Sequence, residues 1–184
     1  MSDSHNASRR DPDADLPEET VWQGKFIAAR RRGRWEYVGR TRGIRAAAII
    51  ALDGDHIVLV EQYRVPLGKA CLEIPAGLIG DGEDTGEVPL AAAQRELEEE
   101  TGYRAKTWED LGEFHSSPGM VSESFTLLRA RDMEKVGPGG GTPGENITVH
   151  RVPLAGLAPF VTAKRTEGLA IDVKLAIVLP LIQS

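Results

Sequence analysis

Residues 72 to 103 read LEIPAGLIGDGEDTGEVPLAAAQRELEEETGY. A glycine-rich turn leads into a segment where Leu90, Ala93 and Leu97 recur at the i, i+3, i+7 spacing of an amphipathic helix. Pro89 stands where a first-turn proline is tolerated, and Gly102 follows the last turn as a C′ residue. The predicted helix carries Glu96, Glu98, Glu99 and Glu100 in its last two turns. At about 100° per residue, Glu96, Glu99 and Glu100 share one sector, whereas Glu98 points almost opposite Glu96. Like charges so placed repel one another, and hard divalent cations such as Mg²⁺ gather several oxygen ligands and often complete their shell with substrate phosphates. The helix therefore reads as a metal-phosphate site, with a solvated acidic face as the plain alternative.

Outward from this stretch, AAAIIAL (46 to 52) and HIVLVEQYR (56 to 64) flank Asp53-Gly54-Asp55, a hairpin signal between two apolar runs. Upstream, VWQGKFIAAR, RRGR and WEYV predict a two-strand N-terminal β-hairpin with a tight basic turn. Downstream, KTWEDLGEFH and SESFTLLRAR read as strands joined through Ser116-Ser117-Pro118-Gly119. GPGGGTPG (137 to 144) reads as a flexible loop. NITVHRVPL (146 to 154) resumes a strand that carries into a helix around residues 155 to 163, and a second helix is expected over roughly 168 to 179. Many strands with few interspersed helices argue for an α+β domain, a mixed sheet between helical layers. The expected division is a disordered tail over 1 to 20, the hairpin over 21 to 42 and the main domain over 43 to 184.

The 184 residues, 41% hydrophobic and 27% charged, suit a soluble globular chain, and no apolar run reaches the 18 residues of a membrane span. The polar N-terminus lacks a signal-peptide h-region. The single cysteine, Cys71, excludes an internal disulfide and reads as a core filler, so the cytoplasm is the expected compartment. The net charge of −6 is unevenly laid out: residues 1 to 20 hold six acids and two arginines, residues 21 to 45 eight bases and Glu36, and residues 81 to 103 eight acids and Arg95. The acidity of the whole opposes non-specific polyanion binding, so no nucleic-acid or membrane partner is expected. A small anion bridging the basic hairpin and the acidic helix through metal is the better fit. His115 and His150 have no metal-ligand spacing and read as structural.

These residues resemble the Nudix hydrolase family, whose box reads G-x5-E-x7-R-E-U-x-E-E-x-G-U with U a bulky apolar or aromatic residue. Arg95, Glu96, Leu97, Glu99, Glu100, Gly102 and Tyr103 fill the second half. In the first half, Gly77 and Glu83 keep the family's mutual spacing but stand eleven residues from Arg95 instead of seven, which implies a four-residue insertion within DTGEV. Alternatively Glu87 keeps the spacing to Arg95, and Asp81 then stands at the glycine position. The remaining features look most like the ADP-ribose pyrophosphatase branch: Pro118 lies 16 residues after Gly102, VEQYRVPLG precedes LEIPAGLI, and GENITV brings Glu145 into play, with Pro143 where some members carry a second acid.

The resemblance implies a Nudix-like α/β/α sandwich with an N-terminal β-hairpin subdomain, and Mg²⁺-dependent (or Mn²⁺-dependent) hydrolysis of the pyrophosphate of a nucleoside diphosphate sugar. ADP-ribose, giving AMP and ribose 5-phosphate, leads; GDP-mannose or a non-catalytic nucleotide sensor are the alternatives. It implies metal ligation by Glu96, Glu99, Glu100, Glu145 and the carbonyl of Ala76, with Glu145 and Glu99 as the catalytic acids. Arg95, four residues before Glu99, would hold a ligand carboxylate in place. Substrate contacts are implied for Phe26, Trp35, Glu36, Arg40, Arg64, Leu78, Pro118 and Glu123; for Arg64 a surface salt bridge is the rival reading, and for Trp35 strand packing. A homodimer, with the hairpin crossing to the partner, is the expected assembly.

Overall fold

The computed structural model describes residues 10 to 80 and 86 to 181, which divide into two compact units. The larger holds Arg45–Ser116 and everything from Ser124 onward. Its apolar runs form β4 (Ala46–Asp53) and β5 (His56–Arg64), closed by a turn whose Gly54 sits at φ 61°, where glycine carries no Cβ penalty. β6 (Lys69–Glu73) and β7 (Ala76–Leu78) follow, then α1 (Pro89–Thr101), the long pair β8 (Tyr103–His115) and β9 (Ser124–Lys135), β10 (Thr148–Pro153), α2 (Leu157–Thr166), β11 (Ala170–Ile171) and α3 (Lys174–Leu181).

Eight strands make one mixed sheet in the order β11-β6-β5-β4-β9-β8, with β10 on β5 and β7 on β4. The β4–β9 and β6–β11 pairings are parallel; the others are antiparallel. β4 is buried on both faces: Ala48, Ile50 and Leu52 meet Leu157, Leu175 and Val178 on one side, while Ala47, Ile49 and Ala51 meet Ala92, Ala93 and Leu97 of α1 on the other. That double burial is why its sequence is continuously apolar instead of alternating. The layers are helix, sheet, helix, as the resemblance implies. Two-residue β11 and the eight-residue α3 stand where one helix over 168 to 179 is expected; residues 170 and 171 pair with Cys71 and Leu72 of β6, and the Asp172 carboxylate accepts the Lys174 amide at 2.7 Å where α3 begins. Among the described residues no helix is long and apolar enough to cross a membrane.

The smaller unit comprises the residues up to Ile44 together with Ser117–Glu123. In place of the expected two-strand hairpin it has three antiparallel strands, β1 (Glu19–Gln23), β2 (Ile27–Arg32) and β3 (Trp35–Arg40), because Gly24 and Lys25 turn the chain and the run from Val21 to Arg30 cannot stay one strand. The stretch expected as a tail over residues 1 to 20 contains a 3-10 turn at Pro12–Asp15 and the start of β1; residues 1 to 9 lie outside the described residues. The order arises from charge. Arg30 pairs with Glu18 at 2.6 Å, Arg31 with Glu19 at 2.7 Å and Arg34 with Asp11 at 2.7 Å, while Arg32 donates to the Ala14 carbonyl at 2.9 Å. The basic turn is thus matched by the acidic N-terminus. Ser117–Glu123 joins this unit through backbone bonds between Val38 and both Met120 and Ser122, each 2.9 Å, beneath Gly39, where a Cβ would come within 2.6 Å of the Ser122 hydroxyl.

Candidate active site

α1 begins at Pro89 with no side-chain cap on Val88, so packing more than capping holds it: Ala92, Ala93 and Leu97 are sealed against the sheet. It ends on Gly102 at φ 69°. The segment from residue 137 to 144, expected as a flexible loop, is instead the cap of this helix. The amides of Gly140 and Gly141 donate to the carbonyls of Glu100 and Glu99 at 2.8 and 3.0 Å, and those of Val136 and Gly137 to the Gly102 carbonyl at 2.8 and 3.1 Å. The last carbonyls of a helix have no partner within it, and the glycines supply donors because only they fit so close: a Cβ on Gly139 would overlap the Thr101 backbone. The same segment sets Glu145, whose carboxylate accepts the Thr142 amide at 2.6 Å.

Of the crowded glutamates, Glu98 turns away and binds Arg104 at 2.8 Å. Glu96 and Glu99 face Arg95, at 2.8 and 3.4 Å. Arg95 also donates to the Leu78 carbonyl at 3.2 Å and meets Glu87 at 3.3 Å. Burial disfavours its charge, but Glu87 and Glu96 outweigh that and hold its pKa raised. Glu87 also accepts the Gly80 amide at 2.8 Å; that bond, with Arg95, keeps its carboxyl below the ordinary value against the pull of burial. Glu87, eight residues before Arg95, therefore does the tethering. Glu83 itself lies outside the described residues.

Glu100 is the deepest acid of α1, 6% exposed, with its carboxylate on the Ala76 amide at 3.1 Å. Burial, with Glu96 and Glu145 nearby, raises its pKa to about 8, although the Ala76 amide pulls the other way. Gly77 makes room: a Cβ there would overlap the Glu96 carboxyl. No three His, Cys, Asp or Glu side chains among the described residues converge as a finished cage, since Glu96 and Glu99 are turned to Arg95. The donor set nonetheless fits a hard cation. It is all oxygen, partly buried, and carries more negative charge than the single Arg95 offsets.

Arg64 is bound to a residue that sequence reading missed. Its Nε and Nη2 fork onto Glu73 at 2.6 and 2.9 Å, and the Glu73 side chain is 6% exposed. The available signal is a lone acid inside the apolar run ACLEIP, which burial requires to be paired. Nearby, Gln62 donates to the Glu145 carbonyl at 3.4 Å. Of the histidines, His150 lies against Glu61 at 2.9 Å and tilts over Phe160, away from the acids of α1.

Of the other expected substrate residues, all but Leu78 belong to the smaller unit. Trp35 and Pro118 line a pocket of about 340 Å³ that Asp11, Tyr37, Val121 and Ser122 also line. Arg40 and Glu123, 83 residues apart in sequence, pair at 2.6 Å. Phe26 is 61% exposed, and Glu36 is also exposed. Leu78 is half-buried beside Gly77 in the larger unit.

The fold and the helix-borne acids match those of a known family: the NUDIX domain model aligns with residues 42–168, and the chain belongs to the Nudix hydrolase family. Among curated relatives, a Bacillus methanolicus protein named methanol dehydrogenase activator is 47% identical over 91 residues, covering 49% of this chain and 47% of its own. A Bacillus subtilis ADP-ribose pyrophosphatase is 40% identical over 89 residues, covering 48% and 46%. The chain thus spans about half the length of these two relatives. A crystal structure titled ADP compounds hydrolase superposes with a TM-score of 0.64 at 25% identity, covering 80% of this chain and 81% of that one.

Proposed function

We propose that the protein is a divalent-cation-dependent pyrophosphatase of nucleoside diphosphate sugars, with ADP-ribose the leading substrate, cleaved to AMP and ribose 5-phosphate. The observation that carries this reading is Glu100, a carboxylate 6% exposed and held on the Ala76 amide at 3.1 Å; burial, with Glu96 and Glu145 nearby, pushes its pKa up to about 8, and a cation would relieve that. Relatives named for ADP-ribose and ADP compounds favour the adenine nucleotide. Glu96, Glu99, Glu100, Glu145 and the Ala76 carbonyl would hold Mg²⁺, and Mn²⁺ suits the same oxygens. When bound, the cation neutralises pyrophosphate oxygens and makes water more acidic. Glu145, fixed by the Thr142 amide, or Glu99, the more exposed acid of the helix, would take the proton from the attacking water. Glu87 and Arg95 keep Glu96 and Glu99 from swinging away.

In the smaller unit, Trp35 and Phe26 offer rings for base stacking, with Glu36, Arg40, Pro118 and Glu123 as further substrate contacts. Exposed Val21, Trp22 and Phe26, at 64, 57 and 61%, support a homodimer formed through this sheet. The test is to incubate the protein with Mg²⁺ and ADP-ribose, GDP-mannose, diadenosine polyphosphates or NADH and follow AMP or GMP release. ADP-ribose should turn over fastest; no turnover of any member refutes the proposal.

A further inference from the structure

β5 and β6 run antiparallel with Val60 opposite Glu73, Gln62 opposite Cys71 and Arg64 opposite Lys69. Directly opposed residues share a face, and this is the face that α1 covers, since Val58 packs with Leu97, and Val149, opposite Val60, packs there too. Glu73 lies level with a residue four places back from Arg64, about 13 Å at the rise of a strand. The Arg64 side chain therefore runs back along the sheet instead of off the end of its strand. It ends beside the acids of α1, where the Glu100 charge, after that of Glu73, helps hold its pKa raised. The fork to Glu73 uses Nε and Nη2. Nη1 bonds to nothing among the described residues, and the side chain is 41% exposed.

We propose that Glu73 is a positioning residue: it folds Arg64 onto the catalytic face and locks its guanidinium so that the Nη1 edge meets the pyrophosphate of the substrate. The inference rests on the pyrophosphatase reading. A planar guanidinium bound along one edge keeps a second edge in fixed orientation for an anion. Free Arg64 at a strand end would sample many rotamers and lose that orientation on average. A buried carboxylate kept only for stability gains little, because an apolar residue of the same size does as well or better; here the carboxylate acts on what Arg64 faces.

The test is a double-mutant cycle on the full chain, with Glu73→Gln, Arg64→Ala and the pair. Glu73→Gln should raise the KM for ADP-ribose roughly tenfold with a smaller change in kcat, and add less than about twofold in the Arg64→Ala background. Calorimetric binding of ADP-ribose in EDTA should weaken by the same factor. Effects that multiply independently, or a wild-type KM in Glu73→Gln, overturn the assignment. If Glu73→Gln does not fold by circular dichroism, Arg64→Lys carries the test: it keeps the charge but cannot fork, and should lose as much as Arg64→Ala. Full activity in Arg64→Lys overturns the proposal. Wild-type protein that releases no AMP refutes the pyrophosphatase reading instead, and the calorimetric cycle still decides whether Glu73 acts through Arg64.

Discussion

Glu100 is neutral or charged according to what stands beside it. Without a cation its folded pKa of about 8 lies above the ordinary 4.5, so the native state keeps a proton that the unfolded chain gives up. Its contribution to stability is full below about pH 4.5 and is lost as pH rises towards about 8. In EDTA the melting temperature should fall over that window; Mg²⁺, which binds the carboxylate, should restore it most at the alkaline end. Glu100→Gln should flatten both trends and abolish Mg²⁺-dependent turnover. Thermal melts at several pH values, with and without Mg²⁺, check this. Gly77 makes the second prediction at this scale. The atoms that a Cβ would strike are the end of the flexible Glu96 side chain, so Gly77→Ala should fold normally yet displace that carboxylate. Titration of activity with Mg²⁺ should show at least a tenfold weaker response.

At the scale of elements, the metal-bearing helix and the glycine segment after β9 form one device. Gly102 sits at φ 69°, and a Cβ there would overlap the Gly137 carbonyl. Gly102→Ala should therefore destabilise the protein by about 1 to 3 kcal/mol, several degrees in Tm, and should reduce activity as well, because the displaced segment carries Glu145. A normal Tm would refute the capping argument. The helix itself was plain from the sequence: its apolar spacing, first-turn proline and C′ glycine are local signals, and its observed bounds follow them. Glu99 as a partner of Arg95 was legible from the i, i+4 spacing, but its second, upstream partner was not. Glu83 and Glu87 offer the same carboxylate in the same acidic stretch, and only the amide of Gly80, which places Glu87 in reach of Arg95, separates them.

For the whole molecule, the segregation of charge along the chain becomes pairing within the smaller unit. Removing residues 1 to 16 deletes the partners of Arg34 and the carbonyl that holds Arg32. The shortened chain should be retained on heparin at about 0.15 M salt, while the full chain passes through; equal elution would mean that these exposed pairs neutralise nothing.

The sequence by itself determined the acid-bearing helix, the β4–β5 hairpin, the layered fold and the membership that the seven matched positions carry, because each depends on periodicity or fixed spacing within a few turns of chain. Tertiary structure alone decided that Glu73 holds Arg64, that Ser117–Glu123 belongs with the N-terminal strands, and that the glycine run caps a helix more than thirty residues upstream. Those contacts join residues far apart in sequence, and their geometry is set by strand register and by space that only the folded backbone defines.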